Sequence, residues 1–231
     1  MGTTASLHVN DALSDAQFAE VTNFARGELN RLESIFTVFR PDSEISRINN
    51  GSLHHLDASA EVIEVLDHCA WLEQVSRGAF SIRRSRQSAE INPSGFVKGW
   101  AGERVANLLR AQGLEHFYLG IGGDYALTGG MTADEPWRIG IIDPRDASQL
   151  VGTVEAVSGA IATSGTAERG KHIWDPRTET AADSFLSVTV VGPQLMWADA
   201  YATTVFVMGE DGLDWIRQFD GYNVLPVREN D

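Results

Sequence analysis

Apolar positions along the chain follow distinguishable rhythms, and each rhythm predicts an element. Phe18, Val21, Phe24, Ala25, Leu29 and Leu32 repeat with a helical period behind the capping residue Ser14, so an amphipathic helix is expected to end near Glu33. The same period runs over 58–75, with Gly78 as its stop, and over 96–112, which follows the turn-forming NPSG run and closes at Gly113. Runs rich in β-branched and aromatic residues predict strands at 3–9, 79–82, 116–119, 125–127, 137–142, 153–157 and 186–191, separated by Gly pairs and Asp-Pro turns. Residues 36–39 lead into a turn at 40–42. A helix entered after Gly192 and Pro193, another at 213–219 and a strand at 222–227 complete the pattern. Strands dominate the middle while helices cluster early and late. The expected class is therefore α+β, mixed or antiparallel sheets flanked by helices, rather than a regular βαβ array.

Composition narrows the partners. The 231 residues suffice for one packed domain, 1–231, and no Pro/Ser-rich linker divides them. Against 18 basic residues stand 32 acidic ones, a formal charge of −14, and no Lys/Arg cluster interrupts it. Nucleic acid and anionic membrane are disfavoured as partners, so a phosphorylated ligand needs a metal or a few well-placed basic groups. Cys69 is the only cysteine, which excludes an intrachain disulfide, and its place in VIEVLDHCAWLEQV marks it as a core residue. No apolar run reaches the length of a membrane span. The stretch MGTTASLHV has neither a charged n-region nor an h-region, so a cytoplasmic location is expected.

The segment 187–209, SVTVVGPQLMWADAYATTVFVMG, concentrates the candidate chemistry. Asp199 and Thr203 stand four apart and share a helix face. Two readings fit them. A carboxylate, a hydroxyl and a nearby backbone carbonyl suit a hard cation that keeps positions open for water or phosphate oxygens. Alternatively, Asp199 caps the helix and Thr203 bonds back to the helix carbonyls. Four polar, glycine-punctuated segments at 40–49, 92–103, 119–130 and 162–178 read as loops that carry function. In NPSGFVKG, Gly95 precedes a helix and Lys98 emerges in its first turn, which suits either a phosphate at a helix amino terminus or a capped helix with an exposed lysine. Gly122, Gly123 and Asp124 set a carboxylate beside closely approached backbone or form a tight hairpin turn, and they lack the spaced-glycine fingerprint of a dinucleotide site. His172 stands among Arg169, Lys171 and Arg177. Those cations lower an imidazole pKa and keep it neutral, the form that takes a proton from a hydroxyl; the other reading is a strand-end histidine beside an Asp-Pro turn.

In chain order, MGTT (1–4), FRPDSEISRIN (39–49), GAF (78–80), SGFVKGWAGERVANLL (94–109), GIGGD (120–124), WRIGIIDP (137–144), AIATSG (160–165), HIWDPRT (172–178), SVTVVGP (187–193) and ADAYATT (198–204) resemble the ApbE-type FAD:protein FMN transferase family. The likeness spans nearly the whole chain and is most specific in HIWDPRT and ADAYATT. It implies an α+β fold that binds FAD and Mg²⁺. The implied reaction is attack by a Thr or Ser hydroxyl of a client flavoprotein on the FMN phosphorus of FAD, leaving AMP and phosphoester-linked FMN. By the same resemblance, Asp199, Thr203 and the backbone carbonyl of Gly95 hold the metal. Asp199 and His172 serve catalysis, His172 by activating the incoming hydroxyl. Met1, Phe39, Ala79, Phe80, Ser81, Asn92, Lys98, Thr163 and His172 contact the flavin nucleotide. The chain also departs from the family pattern. Ser81 stands where an acid usually follows GAF, the long insert after it is nearly gone, and Asn92 stands where Asp is usual. Ala202 occupies a position that is acidic in some relatives, and Ala167 replaces a frequent Tyr. A compact site with a metal held by fewer protein ligands is implied. Two other functions fit the same resemblance: a flavin-binding or flavin-carrying protein without transfer, and a hydrolase giving FMN and AMP.

Overall fold

A computed structural model describes residues 3–85, 87–166, 170 and 173–230. Strand β1 (Ala5–Val9) leads to helix α1 (Asp15–Phe36). Ser14 opens α1 with both halves of a capping box: its hydroxyl accepts from the Gln17 amide, and the Gln17 side chain accepts from the Ser14 amide. Val21, Ala25, Leu32 and Phe36 form the buried stripe that carries the helix slightly beyond its expected end. Helices α2 (Glu44–Asn49), α3 (Ala60–Val75) and α4 (Ser94–Ala111) follow. The middle of the chain forms β2 (Phe117–Ile121), β3 (Asp124–Thr128), β4 (Trp137–Asp143), β5 (Asp146–Ala156) and β6 (Gly159–Gly165). Two short strands, β7 (Trp174–Asp175) and β8 (Thr180–Ala181), precede β9 (Ser187–Gly192), α5 (Leu195–Met208), α6 (Glu210–Trp215) and β10 (Asn223–Val227).

Six strands form one sheet in the order β1-β2-β3-β6-β9-β10, antiparallel at every join. The α+β expectation holds, with antiparallel rather than mixed pairing. Alternation along the strands gives the sheet two covered faces. Ala126, Ala160 and Ala162 belong to the main core, where α4 and α5 lie on the sheet and α1 and α3 pack against α4. Leu127 and Ile161 point the other way. There the β4–β5 ribbon closes over them with Trp137, whose indole N–H donates to the Thr128 carbonyl at 3.0 Å. Cys69 is buried in the main core as expected, and burial pushes its thiol pKa up. No helix among the described residues is long and apolar enough to cross a membrane.

Three expectations are corrected. The run 162–178 does not begin as a loop, because its first residues complete β6, an inner strand paired to both β3 and β9. Ala160 and Ala162 are small where α5 rests directly on them, so β6 carries no large apolar residue on its helix side. The expected strand at 79–82 is absent. Arg77 and Gly78 take positive φ, and the next amides are bonded locally, Ala79 N–H to the Ser76 carbonyl and Phe80 N–H to the Ser76 hydroxyl. Ala79 and Phe80 are apolar because they plug the core, not because they pair. Part of the polar segment 40–49 is helical, since Ser43 caps α2 by accepting from the Ser46 amide.

Candidate functional site

The site begins at a seam of close helix contact. A Cβ on Gly102 would stand 2.7 Å from Leu195 Cδ2, and one on Gly99 would stand 2.7 Å from Asp199 Cβ and 2.8 Å from the Leu195 carbonyl oxygen. Position 102 thus meets 195 and position 99 meets 199, so α4 and α5 run antiparallel at a distance that only glycine permits. One more turn along each helix puts Gly95 on the α4 face toward Thr203.

Lys98 projects from this seam between two buried carboxylates. Its Nζ forms ion pairs with Asp124 Oδ2 and, at 3.1 Å, with Asp199 Oδ1. Asp124 is 1% and Asp199 3% exposed, whereas the Lys98 side chain keeps 27% of its surface open. Burial raises the Asp124 pKa, the neighbouring Asp199 charge raises it further, and Lys98 opposes both. Burial likewise raises the Asp199 pKa against the pull of Lys98. For Lys98, burial works to lower the pKa but is outweighed by Asp199 and Asp124, so the ammonium stays charged. The Gly99 amide also favours the charged Asp199, and the Oδ2 atoms of Asp199 and Asp124 are both buried with no hydrogen-bond partner among the described residues, that of Asp124 standing in its ion pair with Lys98.

Asp124 reaches the trio through its turn. Gly122 and Gly123 both take positive φ, closing a two-residue hairpin between Ile121 and Asp124. The β3–β6 ladder stops at Tyr125 and Ile161, so the Thr163 amide has lost its strand partner; Asp124 Oδ1 accepts from it instead, at 2.9 Å. On the helix face of β6, the Ser164 and Thr203 hydroxyls are hydrogen-bonded at 2.9 Å. Four distant segments, in α4, β3, β6 and α5, therefore converge here.

The residues singled out in the sequence fall into several groups. Asp199 is a full turn inside α5, so it is not a cap, and Thr204, not Thr203, bonds back to the Ala200 carbonyl. Lys98 is not the exposed lysine of a capped helix, nor is it in the first turn. Gly95 lies inside α4 rather than before it, because Asn92 Oδ1 accepts from the Ser94 amide and starts the helix earlier. That use occupies the Asn92 side chain locally. Phe39 is 92% exposed on the link between α1 and α2, and nothing of the core covers its ring. Ala79 and Phe80 are packed in the core under the start of α4, and the Ser81 hydroxyl accepts from the Arg83 amide. Thr163 offers its amide to Asp124 while its hydroxyl bonds Thr189 at 2.9 Å, on the sheet face away from Ser164. Met1, Ala167 and His172 lie outside the described residues. Sequence reasoning weighed Asp124 without placing it in the site and missed Ser164; the glycine pair just before Asp124 was the available signal for the first.

The chain matches the family model described as ApbE family over residues 1–87 and 81–225. A FAD:protein FMN transferase of Vibrio cholerae serotype O1 shares 37% identity over 151 residues, 61% of this chain and 45% of that protein. One from Escherichia coli K12 shares 28% over 147 residues, 59% of this chain and 42% of that protein. The matched stretches thus span less than half the length of these curated relatives. Among solved structures, the ApbE protein from Thermotoga maritima superposes with a TM-score of 0.85 at 23% identity, covering 99% of this chain and 92% of that one. The flavin transferase ApbE from Vibrio cholerae gives 0.77 at 23% identity, covering 98% and 94%. At that identity the structural likeness establishes the fold.

Proposed function

Because the chain belongs to the ApbE family, we propose that it works as one flavin transferase domain over 1–231, moving FMN from FAD to a Thr or Ser hydroxyl of a client flavoprotein with Mg²⁺ and leaving AMP. The observation that carries this reading is the buried trio of Lys98, Asp124 and Asp199 beside Thr203, with Asp199 Oδ2 unpartnered among the described residues. The donor set fits the cation. Asp199, the Thr203 hydroxyl and the Gly95 carbonyl offer only oxygen, and no group of three His, Cys, Asp or Glu among the described residues could hold a metal. A cation here leans on one carboxylate and neutral oxygens, which suits Mg²⁺ with positions left for phosphate oxygens. When bound, Mg²⁺ supplies positive charge against the charge building on the pyrophosphate during displacement.

The chain's own residues do the rest. Lys98 holds an ammonium at the opening of the seam, where it orients the pyrophosphate. Phe39 presents an exposed ring for stacking on the flavin. His172 accepts the proton of the client hydroxyl as the bond from its oxygen to the FMN phosphorus forms. The bond from that phosphorus to the bridging oxygen breaks, and AMP leaves with the bridging oxygen. Positioning and fixed charge in a water-poor site account for most of the acceleration in such a displacement.

The test is to incubate the protein with FAD, Mg²⁺ and a threonine-bearing acceptor peptide while following AMP and peptide mass together. A gain of FMN mass with matching AMP is expected. AMP without peptide modification points to the hydrolase, and neither product despite tight FAD binding points to the carrier.

A further inference from the structure

We propose that Asp124 is a positioning residue of this site: it anchors the Lys98 ammonium beside Asp199, so that the Asp199 carboxylate stays open to a divalent cation. The inference rests on the cation reading of Asp199 given above.

Both Asp124 oxygens are committed, Oδ1 to the Thr163 amide and Oδ2 to Lys98. Asp199 pairs with Lys98 through Oδ1 at 3.1 Å and is also held by the Gly99 amide, while its Oδ2, unlike the Asp124 Oδ2 that ion-pairs with Lys98, has no ionic partner among the described residues. Asp124 is also the closer of the two carboxylates to the ammonium. The trio therefore carries two carboxylates for one ammonium. Were Asp124 neutral, Lys98 and Asp199 would form a buried one-to-one ion pair, and an incoming cation would have to break it, leaving the ammonium buried without a partner. With Asp124 in place, the ammonium keeps a counter-ion when the cation takes Asp199. Cation and ammonium then do not compete for one carboxylate. The turn at Gly122 and Gly123 and the end of the β3–β6 ladder fix Asp124 for this task, since its bond to the Thr163 amide ties it to the strand that carries Ser164.

The test uses Mn²⁺ alone as the probe, titrated into the full chain without flavin and followed by electron paramagnetic resonance, with thermal unfolding run in parallel. In Asp124→Asn the amide oxygen still accepts from Thr163 but no longer balances Lys98. Loss of a supporting carboxylate of this kind is expected to weaken Mn²⁺ binding by about 10- to 100-fold. Adding Lys98→Met to Asp124→Asn removes the competing ammonium and is expected to restore binding to near the wild-type level, which a merely structural role would not do. Lys98→Met alone is expected to bind Mn²⁺ at least as tightly as wild type. Wild-type affinity in Asp124→Asn, no rescue in the double variant, or weaker binding in Lys98→Met each overturns the inference. Asp199→Asn separates the two readings. If it binds Mn²⁺ like wild type, or if wild type binds none, the cation reading fails and takes this inference with it; if only Asp199→Asn loses binding, the inference alone fails.

Discussion

Replacing Gly99 by alanine tests the helix seam that positions Asp199. The added Cβ would stand 2.7 Å from Asp199 Cβ and 2.8 Å from the Leu195 carbonyl oxygen, where ordinary contact begins at 3.4 Å, so α4 and α5 must part by up to 0.7 Å. Neither neighbour can swing away, one being backbone and the other the first carbon of a short side chain. Gly102→Ala is the internal control. Its Cβ would meet the tips of Leu195 at 2.7 Å and Ile121 at 3.1 Å, and those tips rotate. Both substitutions gain the same helix propensity, about 0.8–1 kcal/mol, so that gain cancels in the comparison. Overpacking costs about 1–3 kcal/mol, with the rigid site toward the upper end and the yielding one toward the lower. Gly99→Ala should therefore be the less stable of the two by about 1–2 kcal/mol. At about 2–4 °C per kcal/mol for a chain of this size, the difference is readable in thermal unfolding and in urea midpoints. Because the strain falls on the residue that carries the carboxylate, Gly99→Ala should also lose FMN transfer by about 10-fold or more. Gly99→Ala as stable and active as Gly102→Ala would refute the seam argument.

Three further outcomes are expected. Asp199→Ala should abolish Mg²⁺-dependent AMP release while keeping or raising the thermal midpoint, because Lys98 and Asp124 remain as a balanced pair; unchanged turnover removes Asp199 from the cation site. Phe39→Ala should shift stability by no more than about 0.5 kcal/mol, its ring being exposed. Loss of a stacked ring worth about 1–3 kcal/mol should weaken FAD binding by roughly 5- to 150-fold in a fluorescence titration, and unaltered affinity removes Phe39 from the flavin site. His172→Ala should slow transfer far more than it weakens FAD binding, and an equal loss of both would assign the histidine a structural part.

Elements that bury a face of their own were legible in the sequence. Ser14 and the apolar spacing behind it located α1 because capping and amphipathicity are local properties. Strand β6 was not legible, since what makes AIATSG a strand is the pair of strands beside it and the helix resting on its alanines. The apolar run at 79–82 misled for the converse reason: burial there comes from plugging the core between turns. In the candidate site, the four-residue spacing of Asp199 and Thr203 read correctly as one helix face. A phosphate-facing Lys98 was one of the readings the sequence offered, but its ion pairs were hidden, because a lysine early in a helix looks solvated until two carboxylates from other segments close on it. Gly99 carried no visible signal either, as its need for hydrogen in place of Cβ arises only from the facing helix.

The wide spacing of the converging segments bears on how the protein is made. About a hundred residues separate Lys98 from Thr203, and the pairing that joins their neighbourhoods is long-range. Contacts of that kind form late, after the entropy of closing the intervening chain has been overcome. While the chain is still emerging from the ribosome, α4 and β3 can meet first and match Lys98 to Asp124 as a neutral couple. The surplus charge enters only with α5, when nearly the whole sheet is in place to hold it. A chain that stops before α5 lacks both Asp199 and the α4–α5 seam, so the candidate site cannot assemble until nearly the whole chain has been made.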